Sequence, residues 1–192
     1  MPRSPEFDAK EVLENAMKQF WQYGYTDTSV DDLVAATGVS RYGLYGTFGG
    51  KRELFLKALD CYRDDLVTRQ LGSLGSDDAT WKDVKAYFER LVALSKLPAG
   101  QAGCFMCNTA TELAPHDAEV SSKVNAHLRR LKNAFTEALR NTAEAEGLND
   151  FNTEAFADTL VGVSQGMFVL SRSAENANII ENFVSQIVQK PS

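Results

Sequence analysis

A chain of 192 residues, 44% hydrophobic and 24% charged, is long enough to bury its own core and lies far from the composition of a disordered segment. Its net charge of −6 excludes a protein that coats nucleic acid through bulk positive charge, so any DNA contact has to be local, on a small basic surface of an acidic body. Three cysteines, Cys61, Cys104 and Cys107, are an odd number and make a poor disulfide framework.

The opening "MPRSPEFDAKE" has no apolar run of the signal-peptide kind, and no later segment reaches the uninterrupted apolar length of a membrane span; the expectation is a cytoplasmic protein with no membrane partner. From there on, apolar residues return every three or four positions and no long stretch alternates as a strand would, which predicts an all-α chain. Residues 8–23 set Val12, Leu13, Ala16, Met17 and Phe20 along one stripe, and Gly24 stops that helix. Thr28 or Ser29 can cap a short second helix, whose "VDDLVAA" puts carboxylates in the first turn, where the helix dipole favours them. It ends near Gly38. Ser40 is placed to cap a third helix from Arg41 to about Gly46, halted by the breaker-rich "GTFGG". A longer helix is expected over about 50–71, with Leu54, Phe55, Ala58, Leu59, Tyr62 and Leu66 inward.

Short helix, glycine turn, short helix is the shape of a helix-turn-helix, whose second helix enters the DNA major groove. The stretch "TGVSRYGLYGTFGGKRELF", residues 37–55, has no acidic residue before Glu53, yet holds Arg41, Tyr42, Tyr45, Lys51 and Arg52. Carboxylates repel phosphates, whereas Arg, Lys and hydroxyl groups bind them, so a surface that approaches DNA sheds its acids. Packing explains Leu44 and Phe48 but not the missing carboxylates.

Past this region, "GSLGSDDAT" reads as a polar connector, followed by a helix over 80–96 with Val84, Tyr87, Phe88, Leu91 and Leu94 inward, which "LPAGQAG" breaks. Further helices are expected near 103–114, 118–146, 152–173 and 176–189, with a short bend around Ala174. Ala155, Leu160, Gly162, Val163 and Gly166 offer a close-packing surface, and Ile179, Ile180, Phe183, Val184 and Ile187 form an apolar stripe that burial within one subunit would equally explain.

The ordered set Phe20, Gly24, Tyr25, Thr28, Ser29, Val30, Ala35, Gly38, Val39, Ser40, Leu44, Tyr45, Phe48, Lys51 and Leu54 resembles the N-terminal domain of TetR/AcrR-type transcriptional regulators across residues 10–57. The resemblance implies an all-α fold of about nine helices. A three-helix DNA-binding head would occupy 6–66, with its helix-turn-helix at about 29–48, and an effector-binding and dimerisation domain would occupy 67–192. It implies a homodimer that binds a palindromic double-stranded DNA operator and is released by a small-molecule effector, usually as a repressor. The DNA-facing residues implied are Thr28, Ser29, Ser40, Arg41, Tyr42, Gly43, Tyr45, Thr47 and Lys51. The last two long helices would pair with their copies through Leu160, Val163, Gly166, Ile180, Phe183, Val184 and Ile187. The chain departs from the family at Tyr42, Gly43 and Gly49-Gly50, and a glycine inside so short a helix weakens it by about 1 kcal/mol relative to alanine. These departures keep a second reading open: a helical ligand-binding or interaction protein whose DNA-binding head has degenerated.

"AGCFMCNTATEL", residues 102–113, resembles a segment that borders the effector cavity in one branch of that family. Candidate pocket residues are Tyr87, Phe88, Leu91, Phe105, Cys107, Asn108, Thr111, Glu112, Met167 and Phe168, aromatics with a few polar groups, for which a place in the core is the equal alternative. Cys104 and Cys107 lie three apart on one helical face and are candidates for oxidant or electrophile sensing, with ordinary packing as the alternative. His116 and His127 are the only histidines and lack the close spacing of a metal site, so no metal and no cofactor is expected. No nucleophile motif is present, which argues against an enzyme.

Overall fold

The computed structural model describes residues 7–172 and 177–187, and among them there are helices and turns but no strand. Asp8 opens α1 (Ala9–Tyr23) by accepting the Lys10 N–H. Ser29 and Asp32 form a reciprocal capping box at α2 (Val30–Thr37), and Ser40 caps α3 (Arg41–Phe48) through the Gly43 N–H. Helix α3 runs two residues past the expected stop at Gly46, because Phe48 is buried against the head and the left-handed turn falls at Gly49, φ 99°.

The predicted single helix over 50–71 is instead composite. An α-helical run, α4 (Lys51–Cys61), passes into a π-helical turn over Tyr62–Val67 and then into α5 (Thr68–Leu71). The extra residue per turn falls where Tyr62 is buried edge-on to both Trp21 and Phe105, at the point where the chain leaves the head for the body. The connector is less polar in practice than in composition: Leu74 and Ala79 are buried, and Asn141 of the long helix donates to the carbonyls of Asp77 and Ala79.

In the body, α6 (Trp81–Ser95), a 3-10 turn over Pro98–Ala102 and α7 (Phe105–Glu112) surround the 29-residue α8 (Ala118–Glu146), followed by α9 (Thr153–Ser171) and α10 (Ala177–Ile187). The expected bend around Ala174 lies outside the described residues. Phe135 of α8 stacks on Phe88 at 5.8 Å and meets Tyr87 edge-on at 5.4 Å, so both α6 aromatics belong to the body core. Each fully buried aromatic of this kind contributes about 1.5–3 kcal/mol of apolar transfer free energy.

Head and body are joined by an apolar wedge and polar ties. Phe105 of α7 sits edge-on to Phe55 of the head at 5.7 Å and to Tyr62 at 5.7 Å. The Trp21 indole N–H donates to the Gly103 carbonyl at 3.2 Å, and Lys123 of α8 binds Asp60 at 2.7 Å. Arg52 grips Asp117, the N-cap of α8, through both carboxylate oxygens at 3.0–3.2 Å and also reaches Glu119 at 3.0 Å. Arg52 therefore belongs to the head–body junction rather than to the phosphate-facing surface that its sequence neighbours suggest.

Candidate nucleic-acid interface and junction cavity

Helix α3 owes its presentation to its two ends and its underside. Leu44 and Phe48 anchor it in the head core, while Tyr42 is 90% exposed, and Arg41, Tyr45 and the two capping serines are exposed around it. An aromatic ring that buries nothing in the subunit is available to a partner, and here its neighbours are hydrogen-bond donors. Arg41 is held by Asp31 of α2 at 2.9 Å, an exposed pair that orients the guanidinium at the mouth of the helix. Lys51, at the start of α4, stands 4.3 Å from the centre of the Tyr25 ring, in cation–π geometry. Thr47 is half-buried on α3.

Two expected DNA-facing residues are otherwise employed. Thr28 is wholly buried, and its hydroxyl donates to the Gly24 carbonyl at 2.6 Å, closing the turn between α1 and α2. Gly43 faces inward: a Cβ there would stand 2.8 Å from Val39 Cγ1 and 3.4 Å from Phe7 Cε1. The glycine permits the close approach of α3 to the segment before it, so the departure from the family pattern has a packing cause.

A cavity of about 480 Å³ opens between the end of α1, the α1–α2 turn and α7, with Val169 and Arg172 of the α9 end at its rim. Of the candidate pocket residues, Phe105, Cys107, Asn108, Thr111 and Glu112 line it. The other expected pocket residues do not. Leu91, Met167 and Phe168 border a separate void of about 10 Å³, at or below the space one water needs, and Tyr87 and Phe88 are consumed by ring contacts with Phe135. Trp21, Tyr23, Thr26 and Asp27, contributed by the head, were not among the candidates. They lie some eighty positions from α7 in sequence, and no local spacing pairs them with it.

Glu112 is the polar centre of this junction. Its two oxygens accept the backbone N–H groups of Tyr25 at 3.1 Å and Thr26 at 2.7 Å, so a body residue caps a head turn. Gly24, at φ +83°, leaves the space for it; a Cβ there would stand 2.9 Å from Glu112 Oε2.

The cysteine pair is quiet. Cys104 is buried, its sulfur 4.0 Å from His127 Nε2, and burial pushes its thiol above the ordinary range. Desolvation, with Cys104 nearby, raises Cys107 to about 11, so neither carries the lowered pKa that activates a sulfur. His127 is buried with Nδ1 unpartnered in the protein, and desolvation lowers it to about 4, keeping the ring neutral. Among the described residues no group of three His, Cys, Asp or Glu side chains is placed to hold a metal ion.

Of the expected dimer-forming residues, Leu160, Ile180 and Val184 are buried within the single subunit, which corrects their assignment to an interface. Val163, Gly166 and Ile187 are half-buried and Phe183 is exposed, as are Ile179 and Val169. Open space lies above Gly162 and Gly166.

Comparison with known proteins agrees with this architecture. Residues 12–58 match the family "Bacterial regulatory proteins, tetR family", and residues 81–187 match "Tetracyclin repressor-like, C-terminal domain". The chain is 31% identical to the HTH-type transcriptional regulator YezE of Bacillus subtilis, over 82% of this chain and 81% of that protein. It is 30% identical to the HTH-type transcriptional repressor ComR of Escherichia coli, over 88% and 82% respectively. In fold it superposes on a cysteine-substituted CifR in complex with 26-base-pair operator DNA, with a TM-score of 0.85 at 23% identity, covering 99% of this chain and 100% of that one. The chain belongs to the TetR family of helix-turn-helix transcriptional regulators.

Proposed function

We propose that the protein is a cytoplasmic repressor that works as a homodimer, each head reading one half-site of an approximately palindromic operator, and that a small molecule bound at the body releases it. Its activity on this reading is binding, without catalysis. The head extends to about residue 66 and the remaining chain carries effector response and dimerisation. The observation that carries the DNA-binding part is the exposed face of α3, where Arg41, Tyr42 and Tyr45 stand free of the core on a helix capped by Ser40. Ser29, Ser40, Thr47 and Lys51 complete the proposed phosphate-facing set.

Dimerisation is supported by the uncovered face of α9 and α10. Val169, Ile179 and Phe183 are exposed large apolar groups, and Gly162 and Gly166 of α9 have open space above them, where small residues allow two helices to approach closely. No helix among the described residues is long and apolar enough to cross a membrane, so this face has no bilayer to meet through a spanning helix.

Selection of bound sequences from a random double-stranded DNA pool at moderate salt tests the reading. The expected result is an enriched palindrome whose half-sites are about 34–36 Å apart or a multiple of that spacing. Absence of any enriched sequence, with folded dimeric protein, would favour the degenerate-head reading.

A further inference from the structure

The turn between α1 and α2 carries the head's geometry. Gly24 ends α1, Tyr25 supplies the ring beneath Lys51, Thr28 closes the turn, and Ser29 caps the helix that holds α3 in place. The Tyr25 and Thr26 N–H groups both donate to Glu112, across 87 and 86 positions of sequence. The same carboxylate lines the junction cavity, so an occupant of that cavity and the DNA-binding head share one polar group.

The chemistry of the walls selects among occupants. A carboxylate has about four acceptor positions, and the turn uses one on each oxygen, which leaves Glu112 able to take further N–H donors. Asp27 adds a second carboxylate from the head side, and Trp21 and Tyr23 bring aromatic surfaces. Two acids beside aromatic rings suit a positively charged nitrogen with an apolar remainder. Arg172 is the one basic residue of the lining.

We propose that the junction cavity binds a small organic cation, an ammonium group on an apolar body, and that its N–H groups compete for Glu112 and release the Tyr25–Thr26 turn. This rests on the effector-responsive reading above and gives it a place and a ligand class. Releasing the turn frees the Tyr25 ring from Lys51 and loosens the Ser29 cap, so operator contacts are lost without a ligand entering the body's aromatic core.

The experiment uses the full chain, the operator recovered by selection, and three probes of one shape: phenethylamine, 2-phenylethanol and phenylacetate. Amide hydrogen exchange at Tyr25 and Thr26 is read alongside operator affinity, for the native chain and for Glu112→Gln, which keeps the side chain's shape and one acceptor oxygen. Phenethylamine is expected to speed exchange at both amides and to weaken operator binding roughly tenfold, within the range of ordinary allosteric coupling. The neutral and anionic probes are expected to do neither, and Glu112→Gln is expected to exchange faster from the outset and to lose the response. A response to phenylacetate in place of the amine, an amine response undiminished in Glu112→Gln, or no response by a protein that still selects its operator would each overturn the proposal. A native chain that selects no operator would instead sink the functional reading on which it rests.

Discussion

The head and the body spend their polar side chains in opposite ways. In the head, Arg41, Tyr42, Tyr45, Ser29 and Ser40 stand at the surface around a small core of Phe20, Leu33, Leu44, Phe48 and Phe55. In the body, Cys104, His127, Thr136, Ser164 and Tyr87 are buried. An outward-facing polar set serves a ligand as large as a DNA duplex and costs little stability to alter. An inward-facing set is part of the packing, and changing it is felt throughout the domain. Both uses meet at the junction between them, around Phe105 and Glu112.

Four substitutions or conditions sharpen that contrast, in descending order of expected effect on stability. Phe105→Ala removes the ring wedged between Phe55 and Tyr62 and should cost about 3–5 kcal/mol in urea unfolding. A loss under about 1 kcal/mol would mean the head and body are far less dependent on one another than this wedge implies.

The second concerns pH. The folded His127 pKa of about 4 lies below the ordinary imidazole value of 6.5, so between these values the unfolded chain binds a proton that the folded chain refuses. Stability from this group is full above about pH 6.5, falls as pH drops through the window to about 4, and then levels off, a loss of roughly 3 kcal/mol. Unfolding measured across pH 4–7 should show that slope in the native chain and a flatter one in His127→Leu. Equal slopes would show that the ring takes up its proton while folded.

The third is Gly43→Ala, which sets a methyl 2.8 Å from Val39 Cγ1 and should destabilise the head by about 1–3 kcal/mol, with a matching fall in operator affinity. Adding Val39→Ala should relieve the clash and recover part of both, a coupling that a double-mutant cycle detects. Additive losses would place the cause elsewhere. The fourth is Tyr42→Ala. Because the ring is 90% exposed, stability should stay within about 0.5 kcal/mol while operator affinity falls by about 1–3 kcal/mol. Unfolding and operator titration on one preparation separate the two effects.

Most of the head was legible in the sequence because its signals are local. A capping serine, a stopping glycine and a carboxylate-free run each act within a few residues, and the structure shows Ser29, Ser40, Gly24 and Gly38 in those roles. Errors arose where a contact that spacing does not reveal redefined a residue, whether one turn away or across the molecule. Thr28 looked like a surface hydroxyl until its bond to Gly24, and Gly43 looked like a gap in the recognition helix until Val39 was found against it. Arg52 sat among phosphate-facing residues, yet its partner Asp117 lies 65 positions away. The body's helices followed from apolar periodicity, but periodicity cannot tell a stripe buried in its own subunit, such as Leu160, Ile180 and Val184, from one that meets a second copy. The junction cavity was half visible for the same reason: the α7 wall is one segment of sequence, and the facing wall is another.

The most direct test of the account is the salt dependence of operator affinity for the native chain and for Lys51→Ala. If the acidic protein binds DNA through a small local surface of each head, the native chain loses affinity steeply with salt. The slope of log affinity against log salt should then fall by about 0.9 for each phosphate contact removed, or about 1.8 when both copies of a dimer lose it. A native slope near zero, or one that Lys51→Ala leaves unchanged, would contradict the placement of the DNA-binding surface.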